Sequence, residues 1–256
     1  MTERERYSTR GMFFRLAGDY QPCVKEYGEL IARYAADVAA HNQRALCLSK
    51  LRDTRGAVDA QRRVVELLPN RAIFRDNLAL YLNYDGDFRS AEQEAQTVGD
   101  ADAYATLALA FAQLGQGRLP AAKETLGTLG RIDALGASLA ASGLGDLATL
   151  EGRFSDAVRI LGEGAAADLA SRNPDRAASK FAALAYAQPL RGEKRGAIAA
   201  ADLALVNRQA AGIRFLAARI LVEAGETARA LPLAAGLAAE LQAEPQAFAK
   251  IVEGNA

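Results

Sequence analysis

The sequence predicts an all-α fold: an α-solenoid of about seven helix-turn-helix units followed by one further helix. Three observations lead there. First, a glycine turn recurs at a fixed interval. Gly18-Asp19-Tyr20 and Gly86-Asp87-Phe88 are its clearest copies, and Arg52-Asp53-Thr54 lies midway, 34 residues from each. Second, small residues recur seven before and five after that turn, one on each arm of a hairpin. Small side chains there let two helix axes cross closely. Third, alanine and leucine dominate, tryptophan is absent and only 7 of 256 residues are proline, a composition that favours helix.

The units follow in order. The first, residues 4–37, has Phe14 four before its turn and Cys23, Tyr27 and Leu30 after it. The second, 38–71, carries Leu48, then Arg52 in the glycine slot, Ala57, and Gln61 in a core-type slot. Pro69 closes it, because proline cannot continue a helix. The third, 72–100, is the most regular, with Leu78-Ala79, Leu82, Ala91, Ala95 and Val98. In the fourth, 101–137, Leu107-Ala108 and Gly115 fit one phase and Gly117, Ala122 and Leu126 fit another two residues later. That shift reads as a turn insertion at Gln116-Gly117.

The fifth unit, 138–177, has Leu144-Gly145, then Ala148 in the large-residue slot with Leu147 and Leu150 beside it, the turn Gly152-Arg153-Phe154, and Ala157. The next turn, Gly192-Glu193-Lys194, comes 40 residues later, so about six residues are added around Ala170–Asp175, and Asn173-Pro174-Asp175 predicts a longer loop there. The sixth unit, 178–210, has Leu184-Ala185 and Ala197. The seventh, 211–243, has Leu221, Gly225-Glu226-Thr227, Ala230, Ala234 and Leu237. Residues 1–244 thus make the array. A last helix over 245–256, with Phe248, Ile251 and Val252 as its apolar stripe, is expected to be the first arm of a truncated unit in a longer polypeptide.

At these residues the chain resembles the tetratricopeptide repeat family. The small-residue pairs, the Gly-Asp-aromatic turns and Pro69 carry the resemblance, with Ala35 standing where a closing proline is usual. It implies a right-handed superhelix whose first helices line a concave face. A narrower resemblance, to the C-terminal repeat regions of bacterial serine/threonine kinases, rests on Met1-Thr2-Glu3-Arg4-Glu5-Arg6-Tyr7 leading into Gly18-Asp19-Tyr20, and on Gly143-Leu144-Gly145-Asp146-Leu147. It implies a regulatory or docking segment of a larger signalling protein whose catalytic domain lies elsewhere.

Charge does not select a polyanionic partner: 31 basic and 31 acidic residues balance, although residues 76–170 hold 6 against 14. No nucleic-acid partner is expected. No apolar run of about 18 residues exists, so no membrane insertion is expected either. Cys23 and Cys47 fall at unrelated points of the repeat, so Cys23 is expected to be a packed small residue with no disulfide scaffold. The cytoplasm is the favoured compartment, with an extracytoplasmic position for a segment attached to a membrane kinase.

No catalytic, cofactor or metal site is expected. Gly143-x-Gly145 lacks the third glycine of a nucleotide loop, and no phosphate loop ending in Gly-Lys-Ser/Thr occurs. His41 is the only histidine and reads as inter-repeat packing. Glu92 and Glu94 sit on different helix faces. The chain is therefore expected to bind a protein or peptide, with self-association or a small-molecule sensor as alternatives.

The resemblance projects Arg15, Asn42, Lys50, Asp76, Asn83, Tyr84, Asp146, Tyr186, Arg219 and Glu223 onto the concave face. Polar side chains with a few aromatics suit an extended peptide. The carboxylate clamp of chaperone-tail binders in the family would fall on Ser8, Met12, Gln43, Ile73 and Asn77, which lack its basic residues. Ala105, Leu109, Ala182 and Phe215 predict a more apolar later groove.

Overall fold

The computed structural model describes all residues from 1 to 256 and contains fifteen α-helices, one short 3-10 turn and no strand. The contacts divide into two compact units, residues 1–129 and 130–256.

The first unit is four antiparallel helix pairs: α1 (Glu3–Ala17) with α2 (Tyr20–Arg33), α3 (Val38–Lys50) with α4 (Thr54–Leu67), α5 (Ala72–Asp85) with α6 (Phe88–Val98), and α7 (Ala103–Gly115) with α8 (Leu119–Leu129). Their turns share one mechanism. Gly18, Arg52, Gly86 and Gly117 each take a left-handed conformation, with φ of 74°, 62°, 85° and 74°. The next N–H then donates back to a carbonyl in the last helical turn: Asp19 to Phe14, Asp53 to Leu48, Asp87 to Leu82, Arg118 to Gln113. Two turn aspartates also begin the second helix. Asp53 accepts from the Gly56 N–H and Asp87 from the Ser90 N–H, satisfying amides that a helix start leaves unpaired. In the fourth pair Gly117 is the left-handed residue, so the later of the two phases sets that turn.

Close helix crossings account for the small residues. A Cβ on Gly11 would stand 2.7 Å from the Tyr27 ring, so α1 and α2 approach only because that atom is missing. Ala79 and Ala91 are fully buried where α5 and α6 cross. The first core cluster holds Cys23, Tyr27, Leu30, Ala40 and Cys47, with Tyr7 and Phe14 against it.

That cluster corrects one expectation. Cys23 and Cys47 are joined in a disulfide between α2 and α3, with Cα atoms 6.3 Å apart. Position along the repeat does not reveal the pairing, because the bond runs between successive hairpins.

The second unit comprises α9 (Ala134–Leu150), α10 (Phe154–Ala170), α11 (Pro174–Ala187), α12 (Lys194–Asn207), α13 (Ala211–Glu223), α14 (Thr227–Ala238) and α15 (Ala243–Asn255), with the 3-10 turn at Pro189–Arg191. Gly152, Gly192 and Gly225 take the left-handed turn conformation. The extra residues between Gly152 and Gly192 do not form the longer loop expected at Asn173. Instead α10 runs for 17 residues, and Arg172, left-handed at φ 58°, turns the chain straight into α11, with Pro174 at its first position. The boundaries expected at 137 and 177 fall inside α9 and α11, so helix pairs here begin near 134 and 174.

A buried ionic tie spans three helices of this unit. Lys180 Nζ on α11 donates to Asp168 Oδ2 on α10 at 2.5 Å and to Ser138 Oγ on α9 at 2.8 Å. All three residues are buried. A Cβ on Gly164 would stand 3.0 Å from the lysine stem, so the glycine makes room for it.

Candidate interaction face

The odd-numbered helices α1, α3 and α5 of the first unit present equivalent residues at 34-residue intervals. Two positions before each left-handed turn residue stand Leu16, Lys50 and Tyr84, and all three are exposed, Leu16 by 72% and Tyr84 by 62%. One position earlier stand Arg15, Ser49 and Asn83. The repeat relation puts each set on one face of the unit.

Sequence projection located part of this face. Lys50 and Tyr84 are open to solvent, and Arg15 and Asn42 are half-buried. Asn42 Oδ1 lies 3.5 Å from Asn77 Nδ2 on the next odd helix, and the Tyr81 hydroxyl reaches Ser49 across the same pair. Arg15 and Lys50 form no ion pair, whereas Arg4, Arg10, Arg75 and Arg118 of the same unit are each bound to a carboxylate.

Two projected residues are not on the open face. Asn83 is buried, and its Nδ2 donates to Ala79 O at 3.0 Å and to Ala108 O at 2.9 Å, tying α5 to α7. Asp76 is 2% exposed. Its Oδ1 has no hydrogen-bond partner. Burial, with a smaller contribution from the Asp102 carboxylate at the start of α7, raises its pKa to about 7. Both side chains lie where α7 covers α5, and projection from a single repeat omits that cover.

In the second unit Asp146, Tyr186, Arg219 and Glu223 are exposed. Arg219 and Glu223 pair along α13 at 3.6 Å, and Arg219 lies 5.8 Å from the Phe215 ring centre. With Val222, Val252 and Asn255 they line a depression of about 340 Å³. Asp146 and Tyr186, on α9 and α11, do not line it. Of the residues expected to make the later groove apolar, Ala105 and Leu109 line a depression of about 270 Å³ with Ala95, Gly99 and Thr106, whereas Ala182 is buried. Phe215 is stacked on Phe248 at 4.2 Å, so α15 already covers it.

No three histidine, cysteine, aspartate or glutamate side chains come together as metal ligands. No helix is long and apolar enough to cross a membrane. His41 is buried with Nε2 3.0 Å from the Ala35 carbonyl, a packing role.

No protein-family model and no curated protein matches the sequence. Solved structures do. A tetratricopeptide repeat protein from Parabacteroides merdae superposes with a TM-score of 0.57 at 12% identity, covering 98% of each chain. The Cut9–Hcn1 hetero-tetramer of the APC/C superposes with a TM-score of 0.53 at 15% identity, over 91% of this chain and 48% of that one. The chain has the tetratricopeptide-repeat fold.

Within that fold, the positions that would form a chaperone-tail clamp are occupied by Ser8, Met12, Gln43, Ile73 and Asn77, none of them basic. Met12 and Ile73 are exposed, and they cannot hold a carboxylate. Leu16 was missed from sequence. The signal was present, since Leu16 stands to Gly18 as Lys50 stands to Arg52 and Tyr84 to Gly86.

Proposed function

We propose that this chain is a protein-interaction scaffold whose working face is the odd-helix face of residues 1–129, and that it is the docking segment of a larger bacterial signalling protein such as a serine/threonine kinase. The observation that carries the first part is the exposed column Leu16–Lys50–Tyr84. Large apolar side chains and an unpaired cation, repeated in register on successive helices, are what a bound chain uses. The tetratricopeptide-repeat fold supports a scaffold in general. The kinase link rests on the resemblance of residues 1–20 and 143–154 to such repeat regions.

The Cys23–Cys47 bond favours the extracytoplasmic version of this reading, because disulfides persist chiefly in oxidising compartments. The α2–α3 link then protects the start of the unit where reducing systems are absent.

The test is a pull-down from the source organism with three proteins: the parent chain, Leu16→Ala/Lys50→Ala/Tyr84→Ala, and Asp59→Ala/Arg62→Ala/Glu66→Ala on α4. The first triple is expected to lose the partner and the second to keep it. Loss by the α4 triple alone would move the working face to the even helices. A partner identified as another copy of the chain would make it an oligomerisation arm.

A further inference from the structure

We infer that Asp76 is a proton-operated latch for the α7–α8 hairpin: its neutral carboxyl lets the start of α7 stay seated on α5, and its ionisation favours release of that end. α7 is the last odd helix of the first unit, so an acid medium holds the fourth helix pair in place and a neutral one loosens it.

Asp76 lies where α7 covers α5, buried, with no hydrogen-bond partner for Oδ1. Such burial penalises the carboxylate far more than the neutral acid. Its charged neighbour has the same sign. Asp102 begins α7, its Oδ1 accepting from the Tyr104 N–H at 2.8 Å and the Ala105 N–H at 3.0 Å, so the helix cap itself sets a carboxylate beside Asp76. No cation offsets the two. Arg75 is bound to Glu94 of α6 and to the Pro69 carbonyl. The other charged side chains of α6 are Arg89, which is exposed, and Glu92, held by Arg118. α4 meets α5 through Gln61, whose Nε2 donates to the Phe74 carbonyl at 2.9 Å, and the charged residues of α4, from Arg55 to Glu66, are exposed. From α3, Asn42 reaches Asn77. α7 itself carries no charged residue, and its tyrosine, Tyr104, is exposed.

The repeat shows what this slot accepts elsewhere. Ten positions before the left-handed turn residue stand Ser8, Asn42 and Asp76, and only the third can ionise near neutral pH. The far end of the α5–α7 contact does not titrate, since Asn83 Nδ2 donates there to the Ala108 carbonyl at 2.9 Å. Release therefore starts at the Asp76 end. With α7 seated, burial and the Asp102 carboxylate push the Asp76 pKa up to about 7, and once α7 lifts away it returns toward about 3.9. The stabilisation of the seated state is complete below about pH 4. From about pH 4 to about 7 the opening equilibrium grows about tenfold per pH unit, and above that it levels off, because Asp76 is then ionised in both states.

The test is amide hydrogen exchange on the full chain at pH 4.5, 6 and 7.5, read as protection factors so that the pH dependence of chemical exchange is removed. The proteins are the parent, Asp76→Asn, and Asp102→Asn, whose side chain still caps a helix. In the parent, residues 105–109 are expected to lose at least tenfold in protection from pH 4.5 to 7.5, while exchanging faster at every pH than the slowest amides of α3. Asp76→Asn is expected to hold the same residues at a protection that does not change with pH. Asp102→Asn is expected to end the decline at a lower pH, because removing the neighbouring charge lowers the pKa of the seated Asp76. A parent whose protection at 105–109 is flat with pH would overturn the latch, as would a decline that Asp76→Asn shares. Equal protection and an equal decline throughout residues 1–129 would show that the unit opens only as a whole, and would overturn it too.

Discussion

Asp76 in the first unit and Asp168 in the second are both buried acids in opposite surroundings. Asp168 is paired with Lys180, which also donates to Ser138, so its charge is compensated inside the unit. Asp76 has an unpartnered oxygen and the Asp102 carboxylate for a neighbour. A buried charge with a partner ties helices together, while one without a partner keeps its proton. The cross-ties differ in the same way. The second unit links α9, α10 and α11 through an ionic triad, and the first links α2 to α3 through a covalent bond.

Breaking the ionic tie is expected to be the most costly change. Lys180→Ala leaves Asp168 buried without its partner, which typically destabilises by about 3–5 kcal/mol. Lys180→Met with Asp168→Leu removes both charges and is expected to recover most of the loss. Denaturant melts of the two variants check this, and equal losses would mean that packing, not charge, holds the three helices.

Breaking the covalent tie comes next. For the 24-residue separation of Cys23 and Cys47, loop-closure entropy suggests a stabilisation of about 3 kcal/mol. Cys23→Ala/Cys47→Ala is expected to melt lower than the oxidised parent and to be insensitive to reductant. Mass spectrometry after alkylation in denaturant without reductant should find no modified cysteine in the parent. Two alkylated cysteines would show that the bond does not form.

The unpaired acid makes a difference of comparable size that depends on pH. Its folded pKa of about 7 lies above the unfolded carboxyl value near 3.9. The folded chain therefore holds this proton more tightly. The stabilisation is complete below about pH 4 and is lost as pH rises through about 7. Asp76→Asn is expected to match the parent near pH 3.5 and to exceed it at pH 8, by at most about 4 kcal/mol for a shift of that size. Thermal melts at the two pH values test this, and parallel pH profiles would mean that Asp76 is ionised and solvated.

The smallest effect concerns the two non-glycine left-handed turns, Arg52 in the first unit and Arg172 in the second. Arg172→Gly relieves the Cβ clash of that conformation and is expected to stabilise by about 0.5–1 kcal/mol, net of glycine's greater freedom when unfolded. A loss on urea titration would show that the arginine side chain contributes more than its backbone costs.

The turns and close helix crossings were legible in the sequence because they are local. Gly18, Gly86 and Gly152 announce their own conformation, and Arg52 is recognisable from its spacing to Gly18 and Gly86. The cross-ties were not legible. The Cys23–Cys47 bond and the contacts of Asn83 with Ala108 and of Lys180 with Ser138 each cross from one hairpin to the next, where packing fixes the register and the repeat period does not. The interaction face was half legible for the same reason. The ends of α3 and α5 stay open at Lys50 and Tyr84, whereas Asp76 and Asn83 disappear beneath α7.

The central claim is that partners dock on the odd helices of the first unit. Photo-crosslinking tests it most directly, with benzoylphenylalanine placed either at position 84 on α5 or at position 62 on α4 of the full chain in its source organism. The expected result is a crosslinked partner from position 84 and none from position 62. A partner captured from position 62 and not from 84 would contradict the account.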